Sequence, residues 1–174
     1  MANKGFSINT ELSNKCSDGT NVTINEYLTY LDIESNSEDE EFKFEDKYII
    51  EFAQSSLNTP SFAIGDITKY EASNTILLTF LIENSNYSIE VGQDQTFLTF
   101  IGSDTTEQEY VPANELYTDQ FVYSMDGNPV AQLLSVESVD VSTTMVTVTV
   151  RDEGLAITKD VDGVKLSNDI VLGF

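Results

Sequence analysis

Residues 145–150 read Met145-Val-Thr-Val-Thr-Val150, and this stretch decides the fold class. Val146, Val148 and Val150 fall on one side of the backbone, while the methionine and two threonines fall on the other. A repeat of two residues is the pattern of a β-strand with one buried face. The stretch therefore predicts a half-buried strand.

The residues just before this strand predict its partner. Leu133–Val141 is also rich in β-branched and aliphatic side chains, and Ser142-Thr-Thr144 separates the two runs. Two strand-like runs joined by three to five residues are typical of a β-hairpin. We therefore expect residues 133–141 and 145–150 to pair with each other.

Further short runs of the same kind occur along the chain between turn-forming residues. Turn-forming residues recur about every 8–12 residues, and short strands separated in this way favour a β-sandwich or a β-barrel. The sequence predicts a mainly β fold, an antiparallel β-sandwich of the jelly-roll or immunoglobulin-like type with about ten short strands. We expect one domain over residues 1–174, with a candidate subdivision near residues 111–115. The other candidate strands are Phe42–Phe52, Tyr87–Val91, Thr96–Ile101, Tyr117–Ser124, Leu155–Lys159 and Ile170–Phe174.

One segment, residues 23–33, departs from the strand pattern. Its apolar side chains recur at the spacing of a helical face. Thr23 and Glu26 have the spacing of a capping box, which favours a helix that begins at this point. We predict one short helix here. The apolar positions are Ile24, Tyr27, Leu28 and Leu31.

The run Ile76–Ile82 is apolar on both faces except at Thr79. A strand of this kind is normally covered on both sides, and on an exposed edge it would promote aggregation. We expect it to lie inside the fold, and an oligomer interface is the alternative.

Composition excludes several kinds of chemistry. The 174 residues contain no histidine, so neither a Ser-His-Asp triad nor an imidazole metal ligand can form. A single cysteine, Cys16, excludes an internal disulfide and a multi-cysteine metal site. These absences lead us to expect a protein that is not an enzyme and that needs no cofactor.

The net charge of −22 is unevenly distributed. No lysine or arginine occurs between Lys69 and Arg151, although twelve acidic residues do. Those carboxylates must be solvated, bind cations or face a basic partner. The charge also argues against direct binding to nucleic acid, which requires clustered cations.

Two acidic segments are candidate sites. Asp160 and Asp162, which precede Gly163, resemble the first half of a calcium loop, and a plain Asp-Gly turn is the simpler interpretation. The densest acidic run contains Glu38, Asp39, Glu40 and Glu41. We interpret that run first as a solvated loop, and second as a docking segment for a basic surface or a low-affinity sink for divalent ions.

The expected function is therefore binding. A catalytically silent, mainly β chain without an apolar leader or spanning segment fits a phage or virus virion component, such as an auxiliary capsid, head-fibre or head–tail protein. Such a protein would be made in the cytoplasm, would bind other proteins of an assembly and could form a homo-oligomer. One alternative is an acidic nucleic-acid mimic that inhibits a DNA-binding enzyme. Another is a calcium-dependent adhesion or carbohydrate-binding module.

Overall fold

The computed structural model describes residues 4–16, 18–36, 45–54, 59–100, 108–151 and 161–174. These residues form fifteen strands, one α-helix and two short 3-10 helices, Asp46–Tyr48 and Ala113–Glu115. The helix, α1, spans Ile24–Ser35. In chain order the strands are β1 (Phe6–Ser7), β2 (Glu11–Leu12), β3 (Val22–Thr23), β4 (Ile50–Gln54), β5 (Thr59–Ala63), β6 (Gly65–Ala72), β7 (Thr75–Ile82), β8 (Ser85–Gly92), β9 (Thr96–Phe100), β10 (Gln108–Pro112), β11 (Phe121–Tyr123), β12 (Pro129–Val139), β13 (Thr143–Val150), β14 (Gly163–Lys165) and β15 (Val171–Gly173).

The strands form two large sheets and a small one. The first sheet has seven strands in the order β11-β12-β7-β8-β1-β13-β6, and the second has six in the order β10-β9-β15-β14-β4-β5. β2 and β3 form a separate pair. The pairings of these strands are antiparallel. The prediction of a mainly β, antiparallel fold with one short helix is confirmed.

The core lies where the two large sheets meet. Phe80 of β7 and Phe97 of β9 are both fully buried, and their ring centroids lie 5.8 Å apart. Phe6 and Phe52 belong to the same cluster of buried residues. Because each aromatic ring removes a large apolar area from water, this contact between sheets is a main source of stability.

The helix begins where the capping pattern predicts. The Thr23 hydroxyl oxygen accepts a hydrogen bond of 3.1 Å from the Glu26 backbone N–H, which satisfies a donor that the first helical turn leaves free. Ile24 and Tyr27 are fully buried, and Leu28 and Leu31 pack against the core. The helix therefore covers the core with the face that the sequence indicates.

The apolar run at residues 76–82 lies in the interior of the first sheet, as expected. β7 pairs with β12 on one side and with β8 on the other. Ile76, Leu78 and Phe80 are buried in the core, while Leu77 and Leu81 on the other face are only half-buried. The strand is thus central in the sheet but closely packed on one face only.

The predicted hairpin of residues 133–141 and 145–150 is wrong. β12 pairs with β7 and β11, whereas β13 pairs with β6 and β1. Three strands separate β12 from β13 in the sheet. Each strand instead has antiparallel partners from elsewhere in the chain, and in one of these pairs Val146 of β13 lies opposite Lys69 of β6. The finer prediction of a jelly-roll or immunoglobulin-like sandwich is not confirmed.

Other sequence predictions have mixed outcomes. Within the described part of the segment predicted as the strand Phe42–Phe52, Asp46–Tyr48 turns as a 3-10 helix and a strand begins at Ile50. Leu155–Lys159 lies outside the described residues. The single domain and its subdivision near residues 111–115 stay predictions. No helix in the described part of the chain is long and apolar enough to cross a membrane.

Candidate functional site

The first and the last described segments of the chain meet at one buried side chain, that of Gln95. The segment at Lys4 and Gly5 enters β1, and the segment at Gly173 and Phe174 leaves β15. Gln95 lies between them and is only 2 % exposed. This meeting point is the candidate functional site.

The carboxamide of Gln95 binds both segments. Its Oε1 atom accepts a 2.9 Å hydrogen bond from the Gly5 backbone N–H. Its Nε2 atom donates to the Gly173 carbonyl oxygen at 2.8 Å and to the Thr96 carbonyl oxygen at 3.0 Å. A carboxamide carries both a donor and an acceptor, so one neutral group can bind an N–H group of one backbone segment and a carbonyl oxygen of another. We call this arrangement the Gln95 bridge.

Backbone hydrogen bonds hold Gln95 in place from both sides. The chain turns after β8, and the Gln95 N–H donates to the Gly92 carbonyl oxygen at 3.1 Å. The Gln95 carbonyl oxygen accepts a 2.8 Å bond from the Ala113 N–H, at the start of a 3-10 helix. The Gly92 N–H in turn donates to the Gly5 carbonyl oxygen at 2.9 Å. The turn therefore binds both backbone polar groups of Gly5, one through Gly92 and the other through the Gln95 side chain.

Residue 5 can only be glycine in this arrangement. Its φ of +111° lies in a region that residues with a side chain rarely adopt. A Cβ atom there would also lie 2.5 Å from the Val146 carbonyl oxygen. The N-terminal segment thus passes the bridge as bare backbone.

A small cavity adjoins the bridge. Its volume is about 200 Å³, and its apolar walls include Phe6, Val148, Val164 and Phe174. Lys4 also lines it, and the Lys4 ammonium donates to the Phe174 main-chain oxygen at 3.1 Å. This second contact joins the same two segments at the surface.

The bridge itself is electrically neutral, because a carboxamide does not titrate. The Tyr70 hydroxyl lies next to Gly5, because a Cβ atom placed on Gly5 would be 3.0 Å from it. That oxygen is buried and has no hydrogen-bond partner among the described residues. Burial raises the pKa of Tyr70. The phenol therefore stays neutral at physiological pH.

Of the predicted site residues, only Asp162 lies in the part of the chain that the structure describes. Asp162 accepts a 2.7 Å hydrogen bond from the Tyr110 hydroxyl. Asp160 and the four acids at 38–41 lie outside the described residues. Within the described ranges, no group of three or more acidic, cysteine or histidine side chains could hold a metal ion. The calcium site, the acidic docking segment and the basic partner stay predictions.

Several acids of the cation-free interval have hydroxyl partners. The Thr144 hydroxyl donates to Glu71 at 2.6 Å, and the Thr75 hydroxyl donates to Glu90 at 2.6 Å. A hydrogen bond from Ser124 lowers the pKa of Asp126. A hydroxyl donor favours the ionised carboxylate, so the bond from Ser124 stabilises the charged form of Asp126.

Comparison with known proteins identifies the fold. No protein-family model and no curated protein matches the sequence. A transcription factor IIB Mvu mini-intein superposes with a TM-score of 0.65 at 11 % identity, covering 98 % of this chain and 99 % of its own. The PabCDC21-1 intein gives 0.64 at 13 % identity with full coverage of both chains. A bacterial intein-like domain from Clostridium thermocellum gives 0.61 at 14 % identity, covering 98 % and 97 %. The chain has an intein-like fold.

This finding corrects two predictions. Inteins are self-splicing protein domains, so the prediction of a virion structural component is wrong, and the described matches do not support its alternatives. The prediction that the chain is not an enzyme is contradicted as well, because its fold is that of an autoprocessing class. Both predictions relied on missing histidine and cysteine motifs, and such absences cannot reveal a fold.

Sequence reasoning also missed the residues of the bridge. Gln95 stands in the polar run Gln93-Asp-Gln95, which has the composition of any exposed turn. Gly5 and Gly173 lie 168 positions apart, and nothing in their local sequence connects them. The only usable signal was a glycine next to a β-branched or aromatic run near each end of the chain.

Proposed function

We propose that this chain is an intein-like domain that holds together its own first and last described segments, those at Gly5 and Gly173. The observation that carries the proposal is the Gln95 bridge, in which one side chain binds Gly5 and Gly173 at 2.9 and 2.8 Å. The fold resembles that of inteins, which are self-splicing domains, and a contact between the first and last described segments supports this role.

Burial makes the bridge effective. The Gln95 side chain is almost completely removed from water, so water competes weakly for its hydrogen bonds. Losing the carboxamide would leave the Gly5 N–H and the Gly173 carbonyl without their partner, and unpaired buried polar groups are costly. The two segments are therefore held by groups that have no equally good alternative.

The experiment uses two substitutions that remove different hydrogen bonds of the bridge. Gln95→Ala removes the bonds to both segments. Gln95→Glu keeps an acceptor for the Gly5 N–H but replaces the Nε2 donor, so at neutral pH it abolishes the bonds to the Gly173 and Thr96 carbonyl oxygens and keeps the one to Gly5. The chain would carry a fluorescent reporter at each end, and energy transfer between the reporters would report the alignment of the segments. Hydrogen exchange of the Gly5 amide would report the bridge directly.

We expect high energy transfer in the natural chain, an intermediate value in Gln95→Glu and the lowest in Gln95→Ala. Gln132→Ala is the matched control, because the Gln132 amide makes an exposed 3.3 Å bond to Asp119 far from the bridge. Unchanged energy transfer in Gln95→Ala, in a chain that circular dichroism shows to be folded, would refute the proposed function.

A second candidate function is self-processing of the Gly173–Phe174 peptide bond. A specific observation favours it: Gln95 Nε2 donates to the Gly173 carbonyl oxygen, and such a donor stabilises negative charge when a carbonyl is attacked. The Thr96 hydroxyl oxygen occupies the space that a Cβ on Gly173 would take, and threonine hydroxyls can act as nucleophiles that form acyl-enzyme esters. In this step Thr96 Oγ forms an ester with the Gly173 carbonyl carbon while the C–N bond breaks. The hydroxyl proton passes to the Phe174 nitrogen, and water then hydrolyses the ester.

Intact-mass measurement tests this second function separately. A fusion with a reporter after Phe174 should release a fragment that ends at Gly173, and Thr96→Ala should abolish the release. A fusion of the natural chain that keeps its full mass during prolonged incubation would exclude the processing step. That outcome would leave the alignment of the segments unaffected.

A further inference from the structure

We infer that Thr96 and Tyr110 are specificity-determining residues that restrict position 173, beside the bridge, to glycine. The inference rests on the proposed function and deepens it, because it states which backbone the bridge accepts on its C-terminal side. It begins with a difference between the two bridged glycines.

Position 173 needs glycine for a different reason from position 5. The φ of Gly5 is positive, whereas Gly173 is not among the described glycines with positive φ. The backbone at residue 173 could therefore carry a side chain. What prevents it is the neighbourhood, since a Cβ would collide with Thr96 Oγ1 and lie 2.8 Å from Tyr110 Cδ1. Both obstacles are side chains, so substitution can remove them.

The Tyr110 ring is held over this position. Its hydroxyl donates to Asp162 Oδ1 at 2.7 Å. Asp162 is itself fixed, because its carbonyl oxygen accepts a 3.0 Å bond from the Phe174 N–H. On the far side, Gly163 pairs directly with Gly173, and a Cβ on Gly163 would lie 2.6 Å from the Tyr110 hydroxyl. The ring thus covers two facing glycines and is anchored beside both.

Thr96 closes the other side of the same space. It follows Gln95 directly, and Gln95 Nε2 binds the Thr96 carbonyl as well as that of Gly173. A side chain on residue 173 would push this segment away from Thr96 and lengthen its bond to Gln95. A larger residue at 173 is therefore expected to open the bridge before it disrupts the rest of the fold.

The test compares Gly173→Ala in two backgrounds, the natural chain and a Thr96→Ala/Tyr110→Ala chain. In the natural chain the substitution should lower protection of the Gly5 amide about tenfold and reduce the melting temperature. In the second background it should change that protection by less than about twofold relative to the parent double variant. Equal losses in both backgrounds, or no loss in either, would overturn the inference.

Two further measurements keep the test decisive. If the double variant does not fold, Tyr110→Phe keeps the ring but removes its bond to Asp162, and it should reduce the penalty of Gly173→Ala. An unchanged penalty there would count against the inference. The difference in melting temperature between Gly173→Ala and its parent, compared across the backgrounds, measures the steric penalty at residue 173 whether or not the Gly5 amide is protected. Failure of the proposed function, seen as an unprotected Gly5 amide in the natural chain, is therefore distinguishable from failure of this inference.

Discussion

Two buried polar side chains, Gln95 and Tyr27, do the same chemical task in different parts of the molecule. Each side chain donates a hydrogen bond to a backbone carbonyl far away in the sequence and accepts one from a backbone N–H far away in the sequence. The Tyr27 hydroxyl accepts from the Gly65 N–H at 2.8 Å and donates to the Gly65 carbonyl oxygen at 3.2 Å. Gln95 accepts from Gly5 and donates to Gly173.

The difference lies in what is joined. Both bonds of Tyr27 go to one residue, so they attach helix α1 to the start of β6. The bonds of Gln95 go to two segments from opposite ends of the chain. A second difference is that a phenol can lose its proton and a carboxamide cannot. Similar hydrogen bonds thus stabilise the fold at Tyr27, whereas at Gln95 they hold two segments of the chain next to each other.

The largest expected effect comes from the glycines that the two side chains bind. Gly5→Ala should destabilise the protein by roughly 2–5 kcal/mol, because it combines a strained φ with a collision against backbone. Gly65→Ala should cost only about 1–2 kcal/mol, since its Cβ would meet the movable end of Ile50, 2.7 Å away. Urea denaturation of both variants measures the difference. Equal losses would remove the distinction between the two sites.

A smaller effect is expected from the hydroxyl of Tyr27. Tyr27→Phe should lower the free energy of unfolding by about 2 kcal/mol, because the buried Gly65 N–H loses its acceptor. Reporter energy transfer across the chain ends should not change, since the Gln95 bridge is intact. Tyr117→Phe serves as the control, as Tyr117 is 65 % exposed. A loss of energy transfer in Tyr27→Phe would show that the two sites are coupled.

The smallest effect is a pH dependence that only the tyrosine should show. Burial raises the pKa of Tyr27 from 10.0 to about 12. The folded state therefore holds the phenol proton more tightly, and this stabilisation is complete below pH 10 and is lost as the pH rises through 12. At pH 11 the loss should be about 1 kcal/mol for this group, and Tyr27→Phe should remove it.

Tyr87 provides the comparison for that titration. Its pKa is also raised to about 12 by burial, so Tyr87→Phe should remove a similar share of the alkaline loss. Protection of the Gly5 amide, corrected for the intrinsic exchange rate, should stay constant between pH 7 and 10. A decline over that range would mean that an ionisable group supports the bridge.

Much of the fold could be predicted from local patterns. The alternation at residues 145–150 appears as β13, and Thr23 caps the helix that the spacing of Ile24 and Tyr27 predicts. These features depend on neighbours within a few residues, which the sequence displays directly. The pairing of β12 with β7 rather than β13 could not be predicted this way. That pairing depends on how all the strands of the sheet pack together, which local patterns do not contain.

The candidate site was less accessible to sequence reasoning. Of the acids that the sequence singles out as candidate ligands, Asp162 accepts a hydrogen bond from Tyr110, and the others lie outside the described residues. Gln95 is an ordinary turn residue until the fold buries it. A neutral amide has no charge pattern or spacing rule that would single it out, and its role depends entirely on what lies within 3 Å.

By itself the sequence determined that this protein is mainly β, contains one short capped helix, and has neither histidine nor a second cysteine with which to build a site. These properties follow from side-chain alternation, capping and composition, all of which are local. Tertiary structure alone decided the intein-like arrangement of the strands and the meeting of Gly5 with Gly173. The physical reason is that both depend on contacts between residues far apart in the chain. The free energy of such contacts comes from burial, which no short stretch of sequence displays.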